Sequence, residues 1–199
     1  MDRAQVVLAT EKARKVIDGI AFHWYSGDHF EELEMFHKTY PNKEMLFSEG
    51  CYEYSLGAPD TTKIGERYAH DIIGNFNNYC NGFIDWNLLL NEKGGPNHVG
   101  NFCDAPIMAD TQNDQVIVHD SYYYIGHFSK YVQKGATRIG CSRFTSELET
   151  VAFSNPDGTI VCVVLNRGEG DIDFAFRYQG KLITAKAESH SIATYIIHI

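Results

Sequence analysis

The sequence predicts two kinds of structure in succession: an α/β region built on a parallel sheet, and then an all-β sandwich. Three observations lead there. Short apolar runs at residues 20–23, 45–48 and 83–86 are separated by stretches of helical periodicity, the alternation that builds parallel sheets from right-handed βαβ units. Beyond Gly135 the pattern changes to short β-rich runs divided by turn sequences such as Asn155-Pro156-Asp157-Gly158 and Gln179-Gly180, which indicates a sandwich. Finally, 199 residues fall short of the roughly 250 of a complete (β/α)₈ barrel, so any barrel here is partial.

Taken in order, residues 4–17 carry Val7, Leu8, Val16 and Ile17 among charges and read as an amphipathic helix ended by Asp18-Gly19. The strand at 20–23 is followed by a helix with Phe30, Leu33, Phe36, His37 and Tyr40 on one face, closed by Pro41. After the strand at 45–48, Ile64, Tyr68, Ile72, Phe76 and Cys80 recur every four residues and mark a second helix, ended by Asn81-Gly82 before the strand at 83–86. Residues 91–101, rich in glycine and polar side chains, form a loop. The runs 106–108 and 116–118 flank turn residues like a small hairpin, and 121–134 form a helix. The β runs then fall at 137–140, 150–153, 160–165, 172–176, 181–187 and 192–197.

Composition narrows the function. With 44% apolar residues the chain has material for a core, and 26 acidic against 17 basic residues leave a net charge of -9. Such a surface repels phosphate backbones and anionic membranes, so nucleic acid is not expected as a partner. The five cysteines include no C-x-x-C pair and read as reduced thiols, not as a disulfide framework or zinc site. No apolar run approaches the roughly 20 residues of a membrane span. Met1-Asp2-Arg3-Ala4 lacks a signal-peptide core and no N-x-S/T sequon occurs, which together point to the cytoplasm.

Ligands of parallel α/β sheets bind at the C-terminal ends of the strands, and there the chemistry-bearing residues collect. Glu49 follows a buried run, flanked by small Ser48 and by Gly50. Alone, such a glutamate is more often a solvated loop carboxylate than a catalyst. His23-Trp24-Tyr25 offers an imidazole, a broad ring and a phenol, which suit a sugar pocket and equally an aromatic core plug. Asp85-Trp86-Asn87 presents the same choice. No ligand spacing supports a metal site around His23 or His98, and residues 91–97 lack the P-loop pattern.

These pieces in this order resemble the glucosylceramidases of glycoside hydrolase family 30. The resemblance is carried by Gly19-Ile20-Ala21-Phe22-His23-Trp24-Tyr25, Leu46-Phe47-Ser48-Glu49-Gly50-Cys51, Asp85-Trp86-Asn87-Leu88, Asn91-Glu92-Lys93-Gly94-Gly95-Pro96-Asn97, Asn101-Phe102 and Gly126-His127-Phe128-Ser129-Lys130. It continues in Val164-Leu165-Asn166-Arg167 and Ser191-Ile192-Ala193-Thr194-Tyr195. It implies the C-terminal portion of a TIM barrel followed by a β-sandwich. Residues 1–134 would be barrel strands six to eight, with a loop and hairpin insertion at 91–119 and the last barrel helix at 120–134; residues 135–199 would be the sandwich.

The resemblance further implies that Glu49 is the nucleophile of a retaining β-glycosidase. His23, Trp24, Tyr25, Cys51, Trp86, Asn101 and Phe102 would line the glucose subsite, with a β-glucoside as substrate and no cofactor or metal. Retaining enzymes need a second carboxylate about 5–5.5 Å from the first. The family's acid/base lies in an Asn-Glu-Pro motif after the fourth strand, and these 199 residues contain no such motif. The expectation is therefore a fragment, silent alone, that associates with the missing barrel half or with itself through apolar inner strand faces near Phe22, Phe47 and Ile84. The competing reading is a non-catalytic sugar-binding or structural module derived from the same family.

Overall fold

The computed structural model describes residues 1–53 and 60–198. The expected first helix is two short ones, α1 (Asp2–Val7) and α2 (Glu11–Val16). They are separated because the Thr10 hydroxyl accepts the Ala13 N–H at 3.2 Å and caps a new helix. The break turns Leu8 wholly into a core with Leu33, Phe36 and Met45, while Val7 and Val16 remain exposed.

Three parallel strands follow in spatial order: β1 (Gly19–His23), β2 (Glu44–Glu49) and β3 (Gly82–Phe83). They are connected by α3 (Phe30–Thr39) and α4 (Thr61–Asn77). Asp60 starts α4 by accepting the Thr62 and Lys63 N–H groups. The ladder of β3 is shorter than the expected 83–86 run, although the chain keeps its course: the Ile84 N–H donates to the Phe47 carbonyl and the Trp86 N–H to that of Gly50. Between β1 and β2 the register runs evenly to Phe22↔Phe47, after which His23 pairs with Glu49. Ser48 is the extra residue of this bulge, which re-aims the strand end carrying Glu49.

Strand alternation divides the side chains. Ile20, Phe22, Met45, Phe47 and Phe83 face the helices, where Phe47 and Phe83 stack at 4.5 Å and Phe22 meets Phe47 edge-on. The opposite face presents Ala21, His23, Leu46, Ser48 and Ile84, with Ala21, His23 and Ile84 exposed. This corrects the expectation that Phe22 and Phe47 contribute to an exposed inner surface. Phe47 is completely buried on the helix side, and of the three only Ile84 belongs to the exposed face.

The expected hairpin forms from β5 (Ile107–Asp110) and β6 (Gln115–Val118), and a strand not foreseen, β4 (Leu89–Asn91), pairs with β5 in parallel. Helix α5 (Asp120–Ser129) stops earlier than the expected 134. Asn155, from the following sheet, accepts the Gln133 N–H and donates to the Tyr131 carbonyl, capturing the backbone that would have extended the helix.

The remainder is β. The strands β7 (Thr137–Ile139), β8 (Leu148–Ser154), β9 (Ile160–Asn166), β10 (Ile172–Tyr178), β11 (Lys181–Ala187) and β12 (Ser191–Ile197) make a sheet of order β12-β9-β8-β7 and a hairpin β10-β11. Val151, Phe153, Val161, Val163 and Leu165 pack on α4 and α5 through Ala69, Ile72, Ile73, Tyr124 and Phe128. From the other face, Leu148, Ala152, Cys162 and Val164 meet Phe174 and Phe176 of the hairpin. Every residue of β9 is consequently buried, as expected for a strand covered on both sides.

Candidate active site

The cluster at the C-terminal end of the parallel sheet is assembled from two strand ends. Glu49 is the last residue of β2, with a side chain 28% exposed. The Tyr25 hydroxyl, two residues beyond β1, donates to Glu49 Oε1 at 3.2 Å and lies 3.4 Å from Cys51 Sγ. His23 Nδ1 stands 3.9 Å from the same carboxylate oxygen, and its ring meets Tyr25 edge-on at 5.8 Å. Burial, followed by Cys51 and Glu49, drives the Tyr25 phenol far above its ordinary range. The shift favours the protonated phenol, the form that donates to Glu49.

Beneath this cluster the packing is apolar and tight. Trp24 is 8% exposed, tilted on Tyr68 at 4.8 Å and edge-on to Phe47 at 5.9 Å. It is a plug under the site, not a wall facing solvent. A Cβ on Gly50 would stand 2.8 Å from the Phe47 ring and 3.1 Å from Trp24, so glycine is required there for space. Tyr68 donates to Asp85 Oδ1 at 2.8 Å. Burial pushes the Asp85 carboxyl up to about 6, with the Tyr68 bond opposing the rise.

Trp86, Asn101 and Phe102 are exposed, and the Trp86 N–H donates to the Gly50 carbonyl beside Glu49. The loop bearing Asn101 is held by Asn97, whose Oδ1 accepts the Val99 and Asn101 N–H groups. It reaches the cluster through its neighbour Cys103, whose Sγ lies 3.0 Å from that of Cys51. The structure thus brings Glu49, Tyr25, His23 and Cys51 together and sets Trp24 below them, while Trp86, Asn101 and Phe102 are exposed on segments tied to Gly50 and Cys51. Two hollows lie elsewhere, one beside His37, Tyr79 and Arg138 and the other beside Tyr122, Tyr123 and Lys130. No group of side chains suited to a metal occurs among the described residues.

Sequence reasoning missed Cys103 and the residues that hold the Tyr25 loop. Arg67 and His70 of α4 both bind Asp28, at 2.5 Å and 3.1 Å, and the Arg67 guanidinium lies 5.2 Å from the Trp24 ring centre. His70 also contacts Glu149 of β8 at 2.6 Å. The spacing of Arg67 and His70, three apart on a helix, was a legible hint that both act on one side. Their target was not legible.

Two family models match successive parts of the chain. The glycosyl hydrolase family 30 TIM-barrel domain matches residues 2–132, and the family's β-sandwich domain matches residues 135–195. The chain belongs to glycosyl hydrolase family 30. It is 40% identical over 180 residues to the lysosomal acid glucosylceramidase of Mus musculus, a match covering 85% of this chain and 34% of that protein. Among solved structures, SrfJ of Salmonella typhimurium superposes with a TM-score of 0.95 at 43% identity, over all of this chain and 44% of that one. An endo-β1,6-glucanase gives 0.84 at 30% identity, over 92% and 42%. The chain spans about a third of the length of the curated relatives it matches. The chain thus comprises a piece of the family's TIM-barrel domain and its β-sandwich domain.

Proposed function

We propose that this chain carries the nucleophile half of a retaining β-glycosidase site of the glucosylceramidase kind, acting on β-glucosides. The observation that supports it is the placement of Glu49, at a parallel-strand end with the Tyr25 phenol donating to its Oε1 at 3.2 Å. In such a reaction the Glu49 carboxylate attacks the anomeric carbon while a second carboxyl group protonates the leaving oxygen. Water then releases the glycosyl ester, aided by the same second group as base. Tyr25 orients the nucleophile and spreads its charge before attack, and His23 and Trp86 present a polar and a flat aromatic surface to the sugar ring.

The acid/base would come from outside these residues, in the segment that closes the barrel over the exposed face of Ala21, His23 and Ile84. Trapping the assembled enzyme with an activated 2-fluoro β-glucoside should place the covalent label on Glu49. A label on another carboxylate would overturn the assignment. The 199 residues alone should be silent, since loss of general acid catalysis forfeits a factor of about 10²–10⁴. Turnover by the isolated chain at the rate of an intact glycosidase would mean that its acid lies among these residues after all.

A further inference from the structure

We propose that Cys51 and Cys103 are a peroxide-oxidisable pair, a modification site at the strand ends in which hydrogen peroxide or an organic hydroperoxide turns two thiols into one disulfide. The basis is geometric. All five cysteines are free thiols, and these two sulfurs lie 3.0 Å apart. The segments carrying them are held side by side: the Asp104 N–H donates to the Tyr52 carbonyl at 2.7 Å, and Glu53 forms an antiparallel bridge with Cys103. Cys51 packs against the buried cluster of Leu90, Cys103, Ala105 and Met108. A disulfide places its sulfurs about 2.05 Å apart, so the remaining approach is about 1 Å.

The two thiols are unequal, which sets the order of events. Cys103 is 2% exposed. Burial first, and the adjacent Cys51 second, push its thiol up to about 12. Cys51 is half-buried at the mouth beside Tyr25, and is the sulfur that peroxide reaches. Its thiolate attacks one peroxide oxygen, the O–O bond breaks, and Cys51 becomes a sulfenic acid while the other oxygen leaves as water or alcohol after taking a proton. The Cys103 sulfur then attacks the Cys51 sulfur, the S–O bond breaks, and the hydroxyl leaves as water with the Cys103 proton. Two thiols are oxidised and one peroxide is reduced. The bridge would draw the Cys51 sulfur from the Tyr25 hydroxyl, leaving that donor to Glu49, and would tie the rim loop to the end of β2.

The proposal does not rest on the glycosidase reading, and its test reads covalent structure instead of turnover. The reduced, folded chain is treated with one equivalent of hydrogen peroxide, alkylated in denaturant and digested without reductant for peptide mass mapping. The expected product joins the Cys51 and Cys103 peptides, with the loss of two hydrogens and two alkylatable thiols, Cys80 still alkylated, and full reversal by dithiothreitol. In Cys103→Val, Cys51 should instead persist as a sulfenic acid that dimedone traps. Three results would overturn the proposal: Cys51 as sulfinic acid with Cys103 alkylated, a Cys141–Cys162 link in place of the expected one, or equal Cys51–Cys103 linkage in urea-unfolded chain. The wild-type map decides the matter even where the valine substitution impairs folding.

Discussion

A phenol donating to a carboxylate lowers the energy of the charged form and limits the carboxylate's rotation. Tyr25 has that position relative to Glu49. Tyr25→Phe keeps the ring and its edge contact with His23 while deleting the hydroxyl. Hydrogen bonds to charged groups contribute about 1.5–3 kcal/mol, so kcat of the assembled enzyme should fall about 10- to 100-fold, with KM changing much less, in steady-state assays on an aryl β-glucoside. An unchanged kcat would reduce Tyr25 to a rim residue. Glu49, His23, Tyr25 and Cys51 were legible in the sequence because each sits in a short motif continuous with a strand. The resemblance places Trp24 in the glucose subsite, whereas period-two alternation puts it beneath: Ile20, Phe22 and Trp24 fall on the helix side, His23 on the other. Cys103 and Asp28 were not legible, since they reach the site through loop paths that no periodicity encodes.

At the scale of elements, the close approach of β1 and β2 depends on Gly19. A Cβ there would lie 2.3 Å from the Glu44 carbonyl oxygen, a backbone atom that cannot swing aside as a flexible side chain can. The Glu44 N–H meanwhile donates to the Asp18 carbonyl at 3.0 Å, pinning the same junction. Gly19→Ala should therefore destabilise the fold by about 1–3 kcal/mol or more, read as a lower midpoint in urea unfolding. An unchanged midpoint would mean that the two strands separate freely at this end. The strands and the long helix were legible in outline, because four-residue spacing on α4 and continuous apolar runs are strong signals. Their ends were not. Helix α5 stops where Asn155 from another sheet takes its backbone groups, and β4 exists because Leu89–Asn91 finds β5 as a partner. Both outcomes depend on tertiary contacts more than 15 residues away in sequence.

For the molecule as a whole, the union of the parallel-sheet region with the sandwich combines an apolar seam with charged contacts, His190 on Glu66 of α4 at 2.8 Å and a clamp centred on His70. The seam was foreseeable from the unbroken apolar run of β9, which requires cover on both faces. The clamp was not. His70 is held between Glu149 of β8 at 2.6 Å and Asp28 of the Tyr25 loop at 3.1 Å, with Arg67, Asp71, Arg167 and the Phe30 ring around it. The Glu149 bond raises the His70 pKa against the opposing effect of burial. Burial alone would raise Asp28 and Glu149, but bonds from His70 and from the two arginines outweigh it and hold both below the ordinary carboxylate range. A raised histidine pKa stabilises the fold fully below its unfolded value of about 6.5, and that contribution is lost as pH rises through the folded value. The carboxylates' contribution is present above their unfolded values, near 4, and is lost as pH falls through the lowered ones. Asp71, pushed up to about 6 by burial, titrates in the same interval, and because the His70 charge lowers it, the substitution shifts it further up. His70→Gln should therefore destabilise by roughly 1.5–3 kcal/mol at about pH 5–6, and the difference should shrink as pH rises through the raised His70 value. Urea unfolding of both proteins across that range measures it. A difference independent of pH would show that His70 acts by packing alone, and that the clamp between sheet and sandwich carries no charge.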